Sequence, residues 1–350
     1  MNVLFCFLAL FAFSCQTGDE LPAEIRNDGT TAFSGNAMTM DYKILIGQIL
    51  SQKQIIESQA IIKKTFRDTD AIFNKWNPNS ELSRLNSQKS GISTPLSLEL
   101  WRLFKETDDI VKLSQGMFDP TIEPIQALWK QKLQQGKIPE KEEIQKLAPA
   151  IGWDKVSFHD GIFIKRHDLT QLDFGGIAKG LCIDMLIERL EEAGFFNLYV
   201  EWGGEIRAKG THPEERPWTV CISHLGDTNP DRAIDKIYLK NLAIATSGDY
   251  LQNWTINREP EPDIARQKIT GKDVSEKTVT FFHIFDPVTL MPLETMHHSI
   301  ASASVTASNC AFADGLATVM MMFQSVDEAT LWMANVKEQY SEISFWIVTH

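Results

Sequence analysis

Cysteine is scarce in this sequence, and positive charge is nowhere concentrated. The 350 residues hold five cysteines. No two form a C-x-x-C pair, which argues against a zinc ribbon, a dithiol redox motif or a disulfide framework. Cys182, Cys221 and Cys310 lie beyond the N-terminal segment, an odd number, and buried thiols are their expected state. No run or stripe of Lys and Arg occurs, and 34 basic residues stand against 46 acidic ones, a net charge of −12. That balance excludes a nucleic-acid-binding surface. Internal repeats and low-complexity tracts are absent as well. An acidic chain of this kind needs a local cation or directed N–H dipoles to bind an anionic ligand.

What is present begins with a core. Hydrophobic residues make up 43% of the chain, enough for one large domain or two smaller ones. Val3–Phe13 is almost wholly apolar but too short to span a bilayer as a mature helix. It fits the central region of a signal peptide over residues 1–14, with Ala12 and Ser14 preceding Cys15 as in a bacterial lipobox. Cleavage there leaves Cys15 for diacylation. The first ten residues contain no Lys or Arg, so an unprocessed N-terminal anchor or a misassigned start stays open. Residues 15–34 are polar and read as a lipidated tether, and 35–350 as the folded domain.

Periodicity places the elements. Residues 36–50 read as a first strand, and Ile49–Trp76 has the spacing of an amphipathic helix. Shorter helices are expected over 80–86, 97–114 and 139–147. From Trp153 the chain turns strand-rich, at 156–158, 162–164 and 171–174. A helix follows Gly176 and stops at Gly194, in the position of a C′ glycine. Strands are expected at 196–201, 205–208, 217–222 and 242–245. Residues 255–280 look like a surface insertion. Helices at 308–323 and 326–339 and a strand at 343–348 complete the chain. Strands and helices without strict alternation predict an α+β or mixed-sheet architecture.

Four places could carry chemistry. In Leu172-Asp173-Phe174-Gly175-Gly176-Ile177-Ala178-Lys179-Gly180, an apolar strand runs into a glycine turn and then a helix. The glycines permit positive φ and close approach, and helix N–H groups with Lys179 can face a phosphate. A tight turn with glycines needed only for packing is the alternative. Asp314 and Thr318 fall on one helix face, two hard oxygen donors suited to Mg²⁺. An Asp near a helix start and a Thr bonding back to a carbonyl is the plainer reading. The neighbours of Asp314 are apolar, however, so its carboxylate calls for a partner. His283 leads into Asp286-Pro287 and is a candidate base or phosphate contact; a satisfied structural histidine is the alternative. Trp76 precedes the polar turn Asn77-Pro78-Asn79-Ser80 and could stack on a flat ring at a pocket mouth, or pack in the core.

Taken in order, the motifs resemble the ApbE family of FAD:protein FMN transferases over nearly all of the chain after residue 34. They are Gly35-Asn36-Ala37-Met38 with Tyr42, Asn79-Ser80-Glu81-Leu82-Ser83-Arg84-Leu85-Asn86, and Gly116-Met117-Phe118-Asp119-Pro120-Thr121 with Leu128-Trp129. Then come Asp173–Gly180, Gly203-Gly204-Glu205-Ile206, Thr246-Ser247-Gly248-Asp249-Tyr250, His283-Ile284-Phe285-Asp286-Pro287, and Ala313-Asp314 with Thr318.

The resemblance implies an α+β, mixed-sheet fold related to the tunnelling (T-fold) architecture, with FAD in a cleft between lobes. Met38, Trp76, Met117, Phe118 and Asp119 would line the flavin, and Asp173, Lys179 and Ile284 would contact the rest of FAD. The Gly176 carbonyl, Asp314 and Thr318 would hold Mg²⁺, with Ala317 a further backbone ligand. His283 would activate a threonine hydroxyl of an acceptor protein, FMN would pass to it, and AMP would leave. Attack by water would make the same site an FAD pyrophosphatase, and a lipoprotein that binds FAD without chemistry is a third reading. The family further implies an acceptor subunit of a respiratory ion-pumping complex. It also implies a lipid-anchored enzyme on the periplasmic side of the bacterial inner membrane. Two glycines of the family pattern are replaced here, by Thr39 and Leu290.

Overall fold

The computed structural model describes residues 22–224, 227, 229–249, 253–258, 277–296 and 299–350. The signal segment and Cys15 lie outside the described residues, as does most of the insertion. In chain order the strands are β1 (Ala23–Ile25), β2 (Thr31–Ala37), β3 (Met40–Ile46), β4 (Thr94–Pro95), β5 (Val156–His159), β6 (Ile162–Lys165), β7 (Leu198–Trp202) and β8 (Glu205–Lys209). They continue with β9 (Trp218–Ile222), β10 (Asp235–Leu239), β11 (Leu242–Gly248), β12 (Asn253–Arg258), β13 (Lys277–Asp286), β14 (Met291–Glu294), β15 (Ile300–Ala307) and β16 (Ser344–Thr349). The helices are α1 (Gln52–Phe73), α2 (Glu81–Ser87), α3 (Leu98–Leu113), α4 (Glu123–Leu133), α5 (Lys141–Leu147), α6 (Ala178–Glu192), α7 (Cys310–Met320) and α8 (Val326–Gln339).

The central sheet has eight strands in the order β1-β2-β3-β7-β8-β11-β15-β16. Its two faces have different covers. Phe33, Ile44, Ile46, Val200 and Trp202 pack with Ile62 and Phe66 of α1 and with Ile183, Leu186 and Leu190 of α6. Alternate residues, Leu45, Tyr199, Ile206 and Ile244, pack with Trp218, Ile222 and Leu239 of the β9–β10 pair. This period-two division is what a two-sided antiparallel sheet requires. A further core joins α3, α7 and β15 through Leu103, Phe104, Leu316 and Val305. Smaller sheets are β4-β6-β5 and β12-β13-β14. The α+β class holds. Every named strand pair is antiparallel, and one isolated parallel bridge joins Ile122 to Gln171.

Several expectations need correction. The tether does not extend to residue 34, because β1 and the start of β2 belong to the central sheet and Phe33 is fully buried. The strand expected over residues 36–50 is instead the end of β2 and β3, joined by a turn, and it stops at Ile46. Residues 171–174 are not a strand and hold only the bridge at Gln171. The ends of the insertion are ordered as β12 and β13, which pair from Asn253↔Phe282 to Arg258↔Lys277; residues 259–276 lie outside the described ones. Helix α4 and strand β10 carry no clear period in the sequence and are additions to the expected elements. Among the described residues no helix is long and apolar enough to cross a membrane.

Candidate active site

The glycine turn and α7 meet. The Thr318 hydroxyl donates toward the Gly176 carbonyl at 3.5 Å across 142 residues of sequence. A Cβ on Gly176 would lie 2.9 Å from Thr318 Oγ1 and 3.1 Å from Phe118 Cε2, so glycine is required by close approach. Positive φ is not the reason, since neither Gly175 nor Gly176 adopts it. One turn earlier, Asp314 is buried, and its Oδ2 accepts the Gly180 N–H at 3.2 Å. The carboxylate therefore caps the N-terminal turn of α6. Other amides of the turn are likewise committed inside the protein: Gly175 to Asp173 Oδ1 at 2.8 Å, and Ile177 and Ala178 to the Phe174 carbonyl. The expected amide cradle is thus narrower than the sequence suggests, and it is reduced to Gly176 and Lys179.

Helix packing fixes this geometry. A Cβ on Gly180 would sit 2.6 Å from Ala311 Cα, so α6 and α7 cross backbone to backbone there. Asp184, one turn along α6, accepts the N–H groups of Cys310 and Ala311 at the start of α7.

Lys179 projects between two carboxylates. Its Nζ lies 2.5 Å from Glu205 Oε1 and 3.7 Å from Asp314 Oδ1. Burial pushes the Glu205 carboxyl up to about 7, helped by Asp314 and opposed by Lys179. Burial also raises Asp314, against the pull of Lys179 and the Gly180 amide. Burial disfavours the Lys179 ammonium, but Asp314 and Glu205 outweigh it and hold the amine above the usual lysine range. Glu205 Oε2 is buried with no hydrogen-bond partner among the described residues.

Two hairpin tips lie beside this group. Thr39 and Met38 turn β2 into β3 with φ of 67° and 47°, and Gly203 and Gly204 turn β7 into β8. Strands β3 and β7 pair at Tyr42↔Trp202, and the Gly203 N–H donates to the Asp41 carbonyl, so both tips share one sheet end. A Cβ on Gly203 would meet Met40 Sδ at 3.0 Å and Lys179 Cδ at 3.6 Å. Met40 thus stands at the Lys179 end of the site, with Met38 at the tip of the same hairpin. Ser247 of β11 adds a hydroxyl 3.2 Å from Thr318 Oγ1.

On the other side of the turn, Asp173 is held by a residue that the sequence did not signal. Lys75 Nζ donates to Asp173 Oδ2 at 2.8 Å and to Glu123 Oε2 at 2.5 Å. Burial would raise the Asp173 carboxyl, but Lys75 and the Gly175 amide bring it below the usual range. Asp173 thus shapes the turn, with one oxygen on Lys75 and the other on Gly175. Trp76 is 75% exposed, which removes the core-packing alternative. Phe118 is buried against Gly176 and Met117 half-buried. Asp119 Oδ1 accepts from the Thr121 amide and hydroxyl, and burial raises its pKa.

His283 and Ile284 lie on β13, within the register irregularity between Phe281 and Phe285. Ile284 joins the cluster that contains Phe118, Phe174, Ile177 and Ala317. His283 is half-buried on the same strand, so the chain places it next to that cluster rather than on α6 or α7. Leu290 keeps φ at 59° and accepts the Trp129 indole N–H at 3.0 Å.

The donor set around α7 suits a hard cation. Among the described residues no three His, Cys, Asp or Glu side chains cluster as a metal site. The candidate set is instead one carboxylate, one hydroxyl and the carbonyls of Gly176 and Ala317. All are oxygens, and they are few enough to leave positions for water and phosphate, as Mg²⁺ prefers. Sequence reasoning missed Lys75 and Glu123, which belong to no motif. Ser247 and Glu205 stood inside recognised motifs without an assigned role.

The sequence model of the ApbE family matches residues 38–343. A protein from Chlamydia pneumoniae named FAD:protein FMN transferase is 35% identical over 305 residues, covering 87% of this chain and 88% of the relative. One of the same name from Haemophilus influenzae is 31% identical over 277 residues, covering 77% and 72%. Among solved structures, the flavin transferase ApbE from Vibrio cholerae superposes with a TM-score of 0.70 at 25% identity, covering 94% of each chain. The apo flavinyl transferase ApbE of Pseudomonas stutzeri gives 0.73 at 24% identity, covering 95% of this chain and 93% of its own, and speaks to the fold.

Proposed function

This chain belongs to the ApbE family, and from that premise we propose that it is an FAD:protein FMN transferase acting on a threonine hydroxyl of an acceptor protein. The observation that carries the reading is the approach of the Thr318 hydroxyl to the Gly176 carbonyl at 3.5 Å, beside the buried Asp314. Asp314, Thr318 and the carbonyls of Gly176 and Ala317 would hold Mg²⁺. A bound Mg²⁺ neutralises charge that builds on the diphosphate oxygens.

The chain's own groups do the rest. Lys179 brings a positive charge to the diphosphate from the floor of the site, where Glu205 steadies its ammonium at 2.5 Å. Trp76 offers an exposed indole for ring stacking, and Met38, Met117, Phe118 and Ile284 supply the apolar wall. Asp119 and Asp173 hold the loops that present these groups. The acceptor hydroxyl attacks the FMN phosphorus and gives its proton to His283. The bond from that phosphorus to the bridging oxygen breaks, and AMP departs with the electron pair. We also propose that Cys15 is lipidated and tethers the enzyme at the periplasmic face of the inner membrane, near an acceptor subunit of a respiratory ion-pumping complex.

The test is mass spectrometry of an acceptor domain incubated with protein, FAD and Mg²⁺. The expected product carries one FMN on a threonine, and chelation abolishes it. AMP formed without acceptor would mark a pyrophosphatase. Intact FAD under every condition would leave only a binding protein.

A further inference from the structure

Two lysines and two carboxylates sit beside Trp76, and they are paired unequally. Lys75 takes both carboxylates, Glu123 at 2.5 Å and Asp173 at 2.8 Å. Lys130 of α4 has no carboxylate within 4 Å among the described residues, although it is half-buried. Burying an ammonium without a close partner is unfavourable, so the unequal pairing calls for an explanation. Here Lys130 Nζ stands 6.0 Å from the centroid of the Trp76 ring, and Lys75 Nζ stands 5.0 Å from it. Burial, and after it the neighbouring Lys75, act against the Lys130 charge and outweigh Asp173 and Glu123, which favour it without meeting it within 4 Å. An under-partnered cation beside an exposed indole suits a planar ligand that stacks on the ring and carries acceptor atoms along its edge.

We infer that Lys130 is a ligand-contacting residue that donates to the carbonyl-bearing edge of the flavin ring stacked on Trp76. The inference rests on the proposed FAD chemistry and deepens it. The pyrimidine edge of the isoalloxazine is the only part of that ring system rich in acceptors. It becomes anionic when the flavin is reduced, so a fixed ammonium there favours the reduced form over the oxidised one. Lys75 is the poorer candidate, since two of its three N–H groups are committed to Glu123 and Asp173.

The experiment compares the full chain with Lys130→Gln and Lys130→Arg by anaerobic titration with oxidised FAD, dithionite-reduced FAD and ADP. Lys130→Gln is expected to weaken oxidised FAD roughly tenfold, near the lower bound for a hydrogen bond to a charged group. Reduced FAD should weaken more, and ADP, which lacks the flavin ring, should bind as before. Lys130→Arg should recover most of both flavin affinities. Equal FAD affinities in wild type and Lys130→Gln, or a matching loss for ADP, would overturn the inference while the FAD reading stands. Failure of the wild type to bind FAD would instead bring down the reading together with the inference.

Discussion

Asp314 has two duties that a single substitution can separate. It caps α6 through the Gly180 amide, and it is the one carboxylate offered to a cation. Asp314→Asn keeps an acceptor for that amide and removes the charge. Metal-dependent turnover should fall at least about 100-fold, beyond the range typical of groups that merely orient ligands. The melting temperature should move little. Full turnover in this variant would remove Asp314 from the cation site. Glu205 gives a pH prediction. Its folded carboxyl titrates near 7, above the ordinary glutamate value of 4.5. The folded state therefore holds the proton more tightly than the unfolded one. The stability this confers is complete below the unfolded value and is lost as pH rises through about 7. Glu205→Gln cannot titrate, so its stability relative to wild type should rise across that window in urea unfolding. A pH-independent difference would show that Lys179 keeps Glu205 charged throughout.

At the scale of elements, much was legible where period or punctuation was strong. Helices α3, α6 and α8 and the strands β5 through β8 fell close to their expected limits because apolar spacing and glycine stops agree there. The glycine turn and the Asp314–Thr318 pair were visible as motifs, and the fold joins them. Lys75, Glu123 and Lys130 were not visible, since contacts between residues 48 to 98 apart, as from Lys75 to Glu123 and Asp173, leave no local pattern. The reason for the glycine at 176 is not legible locally, because closeness to Thr318 and Phe118 is a tertiary fact. Thr39 offers a sharper lesson. The resemblance places a glycine there, and the backbone keeps a glycine-like φ of 67° despite a β-branched side chain. Such strain costs about 1–2 kcal/mol, partly offset by the unfolded-state freedom that glycine restores. Thr39→Gly should therefore stabilise the protein by about 0.5–1 kcal/mol in denaturant titration. Gly180→Ala should do the opposite. Its Cβ would strike the α7 backbone at Ala311, and overpacking of this kind costs about 1–3 kcal/mol or more. It should also weaken metal binding, since the same contact sets Asp314 against α6.

At the scale of the whole molecule, the early start of the central sheet changes what an anchor at Cys15 can do. With β1 beginning at Ala23, seven residues, Gln16 to Pro22, separate Cys15, the proposed lipidation site, from the first described strand. Even fully extended they reach about 25 Å. A tether running to residue 34 would have reached nearly three times as far, and would have let the enzyme sample acceptors well away from the bilayer. An anchor at Cys15 on this shorter segment would hold the first strand within about 25 Å of the bilayer surface. On this geometry, an acceptor threonine must be displayed close to the membrane surface. Cys15→Ser should move the protein from the membrane to the soluble fraction. Its turnover on a soluble acceptor domain should be unchanged, because no described residue of the site depends on the anchor. On an acceptor embedded in the same membrane, flavinylation by Cys15→Ser should slow, since the loss of a shared surface lowers the effective concentration of the pair. Inserting a long Gly/Ser segment after Gln16 should leave anchoring intact and relax the depth limit, so that an acceptor domain raised on a spacer becomes modified. Equal labelling of near and raised acceptors by the unaltered protein would show that its reach is not set by those seven residues.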